Sequence, residues 1–186
     1  MSFLHDWWNH RKPLAKETSQ DQANLGDAEA QFLQGVKFAN REDEARDYAQ
    51  AVQWYEQAAA QNHALAQFNL SIMYEHGQGV ARNDAKSLVW LTRAAELGDA
   101  GAQYKLGVRQ HLACRNAVPG TTAETRIEAL KWVRLSADQG YRGAVQACQF
   151  VTLEMTREEV AEGGRRVAAF VAGEKPGIQP EATPGE

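Results

Sequence analysis

Cysteine is scarce: Cys114 and Cys148 are the only two in 186 residues, and neither belongs to a CxxC or to a Cys/His spacing that would hold a metal. No disulfide framework and no metal site are expected, and both cysteines read as small buried apolar residues. Long hydrophobic runs are missing too. No polar-free stretch approaches the roughly 20 residues that cross a bilayer, so no transmembrane segment is expected. The opening Met1 to Asp6 lacks the apolar core of a secretory signal, which makes a cytoplasmic address the expectation. Charge of one sign does not accumulate. With 20 Lys+Arg against 24 Asp+Glu and a net charge of -4, there is no block that would attract nucleic acid, and none is expected as a partner. Signatures of chemistry are also lacking: no GxSxG elbow, no GxxxxGK[ST] phosphate loop, no dinucleotide fingerprint and no HExxH. The expectation is a non-catalytic protein without a cofactor.

What is present is self-similarity. Ala30-Gln31-Phe32, Ala66-Gln67-Phe68 and Ala102-Gln103-Tyr104 recur at spacings of 36 and 36. Trp54, Trp90 and Trp132 recur at 36 and 42, each followed by a small pair: Ala58-Ala59, Ala94-Ala95 and Ser136-Ala137. Seven residues before each tryptophan stands an N-cap type, Asp47, Asn83 or Thr125, and Gln50 and Glu128 complete capping-box patterns for the first and third. After each of these helices comes Asn62, Gly98 or Gly140, residues that tolerate the left-handed conformation of a helix stop. Each repeat is therefore a hairpin of two helices, A and B. Helix A is read from Ala66, Leu70, Met73 and Tyr74.

The second repeat turns from A to B through Gly77-Gln78-Gly79-Val80, the first through the charged Arg41 to Glu44. The third carries six extra residues around Pro119-Gly120, an expected surface loop. One hairpin cannot bury its apolar face, so the repeats must stack. The tryptophans are expected at the junctions, where burying each ring would contribute about 3 kcal/mol or more.

The run from Ala66 to Val80, followed by Trp90 and by Ala94-Ala95-Glu96-Leu97-Gly98-Asp99-Ala100, resembles the Sel-1-like repeat, a relative of the tetratricopeptide repeat. The resemblance covers about residues 26 to 143. A fourth helix A near Ala144 to Glu154 and a last helix after Thr156-x-x-Glu159 would close the stack. The resemblance implies an all-α, right-handed superhelical α/α solenoid acting as an adaptor in protein complexes, often in bacterial signalling or host interaction. It also leaves an alternative: a small-ligand-binding or hydrolytic protein with a site at the ends of the A helices. The expected organisation is an apolar helical capping segment over residues 1–25, the solenoid with its last capping helix over 26–172, and a proline-containing tail over 173–186 that buries little and is expected to be disordered.

Solenoids of this kind bind partners along their A helices, so a peptide-like segment of a protein partner is the expected ligand. A stripe of paired positions four residues apart, Phe32 and Val36, Phe68 and Ile72, Tyr104 and Val108, would line the groove, with polar ends at Asn40, Glu75, His76 and His111. Asn69 and Lys105 could bond a peptide backbone. The same stripe could instead pack one A helix on the next. Glu75, His76 and His111 would form a metal or catalytic site only if they converged. Near the start, Phe3, Leu4, Trp7 and Trp8 form an apolar face that could dock on the first repeat, join two copies as a homodimer, meet a membrane surface or bind a partner.

Overall fold

Asp27, His63 and Asp99 each stand one residue before a helix and accept the backbone N–H three residues on, from Ala30 at 2.7 Å, Ala66 at 3.2 Å and Ala102 at 2.7 Å. Each such cap satisfies one of the donors that a helix start leaves unpaired, worth about 1 kcal/mol. These caps recur every 36 residues and begin the A helices. Asp47 and Asn83 do the same for two B helices, accepting from Gln50 and Lys86, each at 2.9 Å.

The computed structural model describes residues 19–40, 47–115 and 122–173, and its described residues form helices and turns only. In chain order the helices are α1 Ser19–Asn24, α2 Ala28–Ala39, α3 Tyr48–Ala60, α4 Ala64–His76, α5 Asp84–Glu96, α6 Ala100–Arg115, α7 Ala123–Asp138, α8 Ala144–Leu153 and α9 Arg157–Val171. The expected fourth helix A is α8 and the closing helix is α9. Helix stops lie at Asn62, Gly98 and Gly140, all with positive φ, and Asn62 is the one non-glycine residue in that region among those described.

The third B helix departs from expectation. Its cap is Thr122 rather than Thr125, which lies inside the first turn of α7. The Thr122 side chain makes no capping bond and instead accepts from Arg126 Nη1 at 2.7 Å. Glu128, the expected box partner, accepts instead from Arg166 of α9 at 2.7 Å.

The chain divides into two compact units, residues 1–97 and 98–186. In the first, α1 packs on α2, α2 pairs with α3 and α4 with α5, while α3 against α4 joins the hairpins. Its core comprises alanines of α3 and α4 with Val52, Tyr55, Leu70, Met73 and Tyr74. Small residues bring the helices close. A Cβ on Gly35 would sit 2.5 Å from the Tyr55 ring, so only glycine admits α3 at that crossing. The equivalent position of the second repeat is Ser71, fully buried and donating to Phe68 O at 2.7 Å.

The second unit pairs α6 with α7 and packs both α8 and α9 on α7. Ala129, Leu130, Val133, Ala147 and Val151 form its core. Gly107, 72 residues after Gly35, plays the same part: an added Cβ would lie 2.6 Å from Val133 and 2.8 Å from Ala129 O. Buried Ser136 donates to Ala100 O at 2.7 Å, tying the end of α7 to the start of α6.

The tryptophan ladder is uneven. Trp132 is buried, with the Phe170 ring edge-on at 5.5 Å and Lys131 Nζ 4.1 Å over its face. Trp54 and Trp90 are half-buried, and Trp90 covers the first unit's core with Arg93 above its ring. Trp132 is covered from α9, which packs on α7 and brings Phe170 to its ring. Cys114 is buried and Cys148 half-buried, both as free thiols whose pKa burial pushes up.

Candidate functional site

Each unit holds a cleft against its A helices. In the first, Val36 and Ala39 of α2, Asn69, Ile72 and Met73 of α4, and Tyr48 and Tyr55 of α3 surround a space of about 360 Å³. Val36 and Ile72, one repeat apart, both line it. Asn69 hydrogen-bonds the Tyr55 hydroxyl, whose pKa is raised chiefly by burial. Asn40 and Gln78 add further polar groups to the lining.

Phe32 and Phe68 are half-buried and do not line this cleft. Phe32 stacks on the His63 ring at 4.7 Å and tilts against Tyr55 at 5.8 Å. His63 Nδ1 accepts the Ala66 N–H, so its ring proton lies on Nε2, which donates to Glu29 at 2.9 Å. One histidine thus caps α4, shelters Phe32 and contacts α2. Glu75 and His76 end α4 with 3.9 Å between Oε2 and Nε2, and His76 is exposed.

The second unit's cleft is larger, about 480 Å³, and lies against α6 and α8. Tyr104, Val108 and His111 all line it. Facing them are Gln146, Phe150 and Leu153, with Arg115 and Glu154 as charged groups at the edge. Phe150 and Leu153 are 65% and 79% exposed, large apolar side chains left open to water. His111 Nδ1 is buried and has no hydrogen-bond partner among the described residues. Tyr104 rests on the Tyr141 ring at 5.3 Å.

The sequence stripe stops one helix short of what the structure contains. The third-repeat offset of 42, added to Tyr104, Val108 and His111, lands on Gln146, Phe150 and Leu153. All three line the cleft. Extending the register into α8 finds them, although glutamine and leucine replace the aromatic and polar types expected there.

Among the described residues, no three His, Cys, Asp or Glu side chains gather where a metal could be held. No described helix is long and apolar enough to cross a membrane. Phe3, Leu4, Trp7 and Trp8, the loop around Pro119-Gly120 and the tail from residue 174 lie outside the described residues.

A family model for the Sel1 repeat matches residues 22–63, 64–99 and 100–141. Among solved structures, the chain is similar to a protective antigen present in uropathogenic Escherichia coli strains and displaying an SLR fold. That likeness has 20% identity and a TM-score of 0.68, over 90% of this chain and 37% of the antigen, so this chain spans well under half of the antigen's length. It is also similar to a Sel1 repeat protein from Oxalobacter formigenes, with 29% identity and a TM-score of 0.60 over 71% of this chain and 95% of that one. No curated protein matches the chain.

Proposed function

Because the chain belongs to the Sel1 repeat family, we propose that it is a non-catalytic scaffold that holds a peptide-like segment of a protein partner against its A helices. The observation that carries this reading is the second unit's cleft, where Tyr104, Val108 and His111 face exposed Phe150 and Leu153 across about 480 Å³. Large apolar side chains left open beside a concavity mark surfaces that partners cover. A side chain of the bound segment fills the space between Val108 and Phe150. The unpartnered His111 Nδ1 bonds its backbone, and Arg115 and Glu154 set its direction by charge.

The first unit's cleft, with Val36 and Ile72, binds a second stretch in the same manner. Phe32, Phe68, Glu75 and His76 serve as its surroundings rather than its floor. A cytoplasmic location belongs to the same reading. A second copy of the chain is the other source of a bound segment.

Selection of peptides from a displayed library against the purified full chain tests the proposal, with the bound site mapped by amide hydrogen exchange. Protection should concentrate on α6 and α8, and Phe150→Asp should weaken binding at least tenfold. Undiminished binding by Phe150→Asp, or protection confined to other helices, would overturn the site. Sedimentation without peptide distinguishes self-association.

A further inference from the structure

The A helices place a glutamine at one repeat position, Gln31, Gln67 and Gln103, and all three are at least 95% buried. A buried carboxamide needs partners at both ends. Gln31 and Gln67 each donate Nε2 to a main-chain carbonyl, that of Ala23 at 3.3 Å and that of Ala59 at 3.0 Å. The acceptor end is served from the C-cap of the following B helix. Gln61 Nε2 donates to Gln31 Oε1 at 2.9 Å, and Gln139 Nε2 donates to Gln103 Oε1 at 2.8 Å. Gln61 and Gln139 are the C-caps of α3 and α7. The C-cap of α5 is Leu97, which has no donor to offer.

Gln67 Oε1 is consequently buried without a hydrogen-bond partner among the described residues. Gln67 also lines a small cavity of about 200 Å³, together with Asn62, Arg93, Glu96 and Leu97. We infer that this cavity receives a primary carboxamide from outside the chain, the side chain of a glutamine or asparagine on a bound protein. It lies where Gln61 and Gln139 lie in the other two repeats. Its NH₂ group donates to Gln67 Oε1 and to the Glu96 carboxylate, and its carbonyl accepts from the Arg93 guanidinium.

The lining chooses this ligand over its neighbours in chemistry. An ammonium group would satisfy Gln67 and Glu96 but face the positive charge of Arg93. A carboxylate would pair with Arg93, yet it has no proton for Gln67 and is repelled by Glu96. The site is separate from the A-helix clefts, so its test is independent of theirs.

Propionamide, the glutamine headgroup, is titrated into the full chain while the side-chain amide of Gln67 and the backbone amides of Asn62 and Leu97 are followed by NMR. Saturable shifts are expected with propionamide and not with N,N-dimethylpropionamide, which lacks the donor. Leu97→Gln supplies the carboxamide from within and should abolish the response while raising the melting temperature by a few degrees. Gln67→Leu should abolish it by removing the acceptor. Equal shifts from both amides, non-saturating shifts, or an unchanged response in Leu97→Gln would overturn the inference. Tighter binding of free glutamine than of a capped glutamine residue would overturn its assignment to a protein side chain.

Discussion

Arg126 on α7 donates to Glu159 on α9 at 2.6 Å, and the same carboxylate closes the capping box of α9 by accepting the Thr156 N–H at 2.7 Å. One side chain both starts α9 and docks it. Farther along α9, Arg166 Nη1 donates to Glu128 of α7 at 2.7 Å and its Nη2 to Glu124 at 2.9 Å. The closing helix therefore carries a polar clamp at each end, with the Trp132 and Phe170 contact completing the interface.

Glu159→Gln should cost about 2 kcal/mol, since it weakens a charge-assisted bond and a helix cap together. The Thr156 N–H and Arg126 hold the Glu159 carboxyl below its ordinary value of 4.5. A lowered pKa stabilises the fold above the ordinary value, and that contribution is lost as pH falls through the lowered one. Thermal melts of the wild type should therefore drop in acid from about pH 4.5 downward, more steeply than those of Glu159→Gln. Parallel curves would contradict the clamp.

The tryptophans should separate in a denaturant series. Trp132→Ala removes a ring only 5% exposed and should cost about 4 kcal/mol. Trp54→Ala, at a half-buried position, should cost less than half as much. Equal midpoints for the two variants would show that repeat position, rather than the cover provided by α9, sets the energy.

Two glycine substitutions should change stability in opposite directions. At Gly107 a new methyl would lie 2.8 Å from Ala129 O, a main-chain atom that cannot swing away, so Gly107→Ala should cost about 1–3 kcal/mol. At Gly164, inside α9, nothing lies within 4 Å of the added atom, and Gly164→Ala should gain about 0.5–1 kcal/mol from helix propensity. Melting temperatures of the two variants check both signs.

Phe150 and Val151 are adjacent in sequence but differ in exposure, at 65% and 1%. Phe150→Asp should leave stability within about 0.5 kcal/mol, as surface changes do, while it weakens peptide binding. Val151→Asp buries a charge beside Leu130 and Val133 and should unfold the second unit. Circular dichroism separates the outcomes, and loss of fold in both variants would refute the exposure of Phe150.

The features legible in the sequence were those whose cause lies within a few residues. The stops at Asn62, Gly98 and Gly140 depend on local φ, the caps at Asp47 and Asn83 on an N–H three residues away, and the box at Thr156 and Glu159 on one helical turn. Repetition then multiplied each local signal, so the hairpins and the A and B assignment could be read from spacing, and the family from its resemblance to the spelling of the second repeat.

Tertiary structure decided what depends on residues far apart in the chain. Arg166 of α9 drew Glu128 away from the expected capping box, and Phe170 of α9 covered Trp132 while Trp54 stayed half-open. His63 occupied Phe32 and withdrew it from the cleft, whereas Phe150 entered the site from a helix whose repeat spelling has faded. Spacing specifies which face a side chain occupies, but exposure depends on what packs against that face, and that neighbour lies a whole repeat or more away.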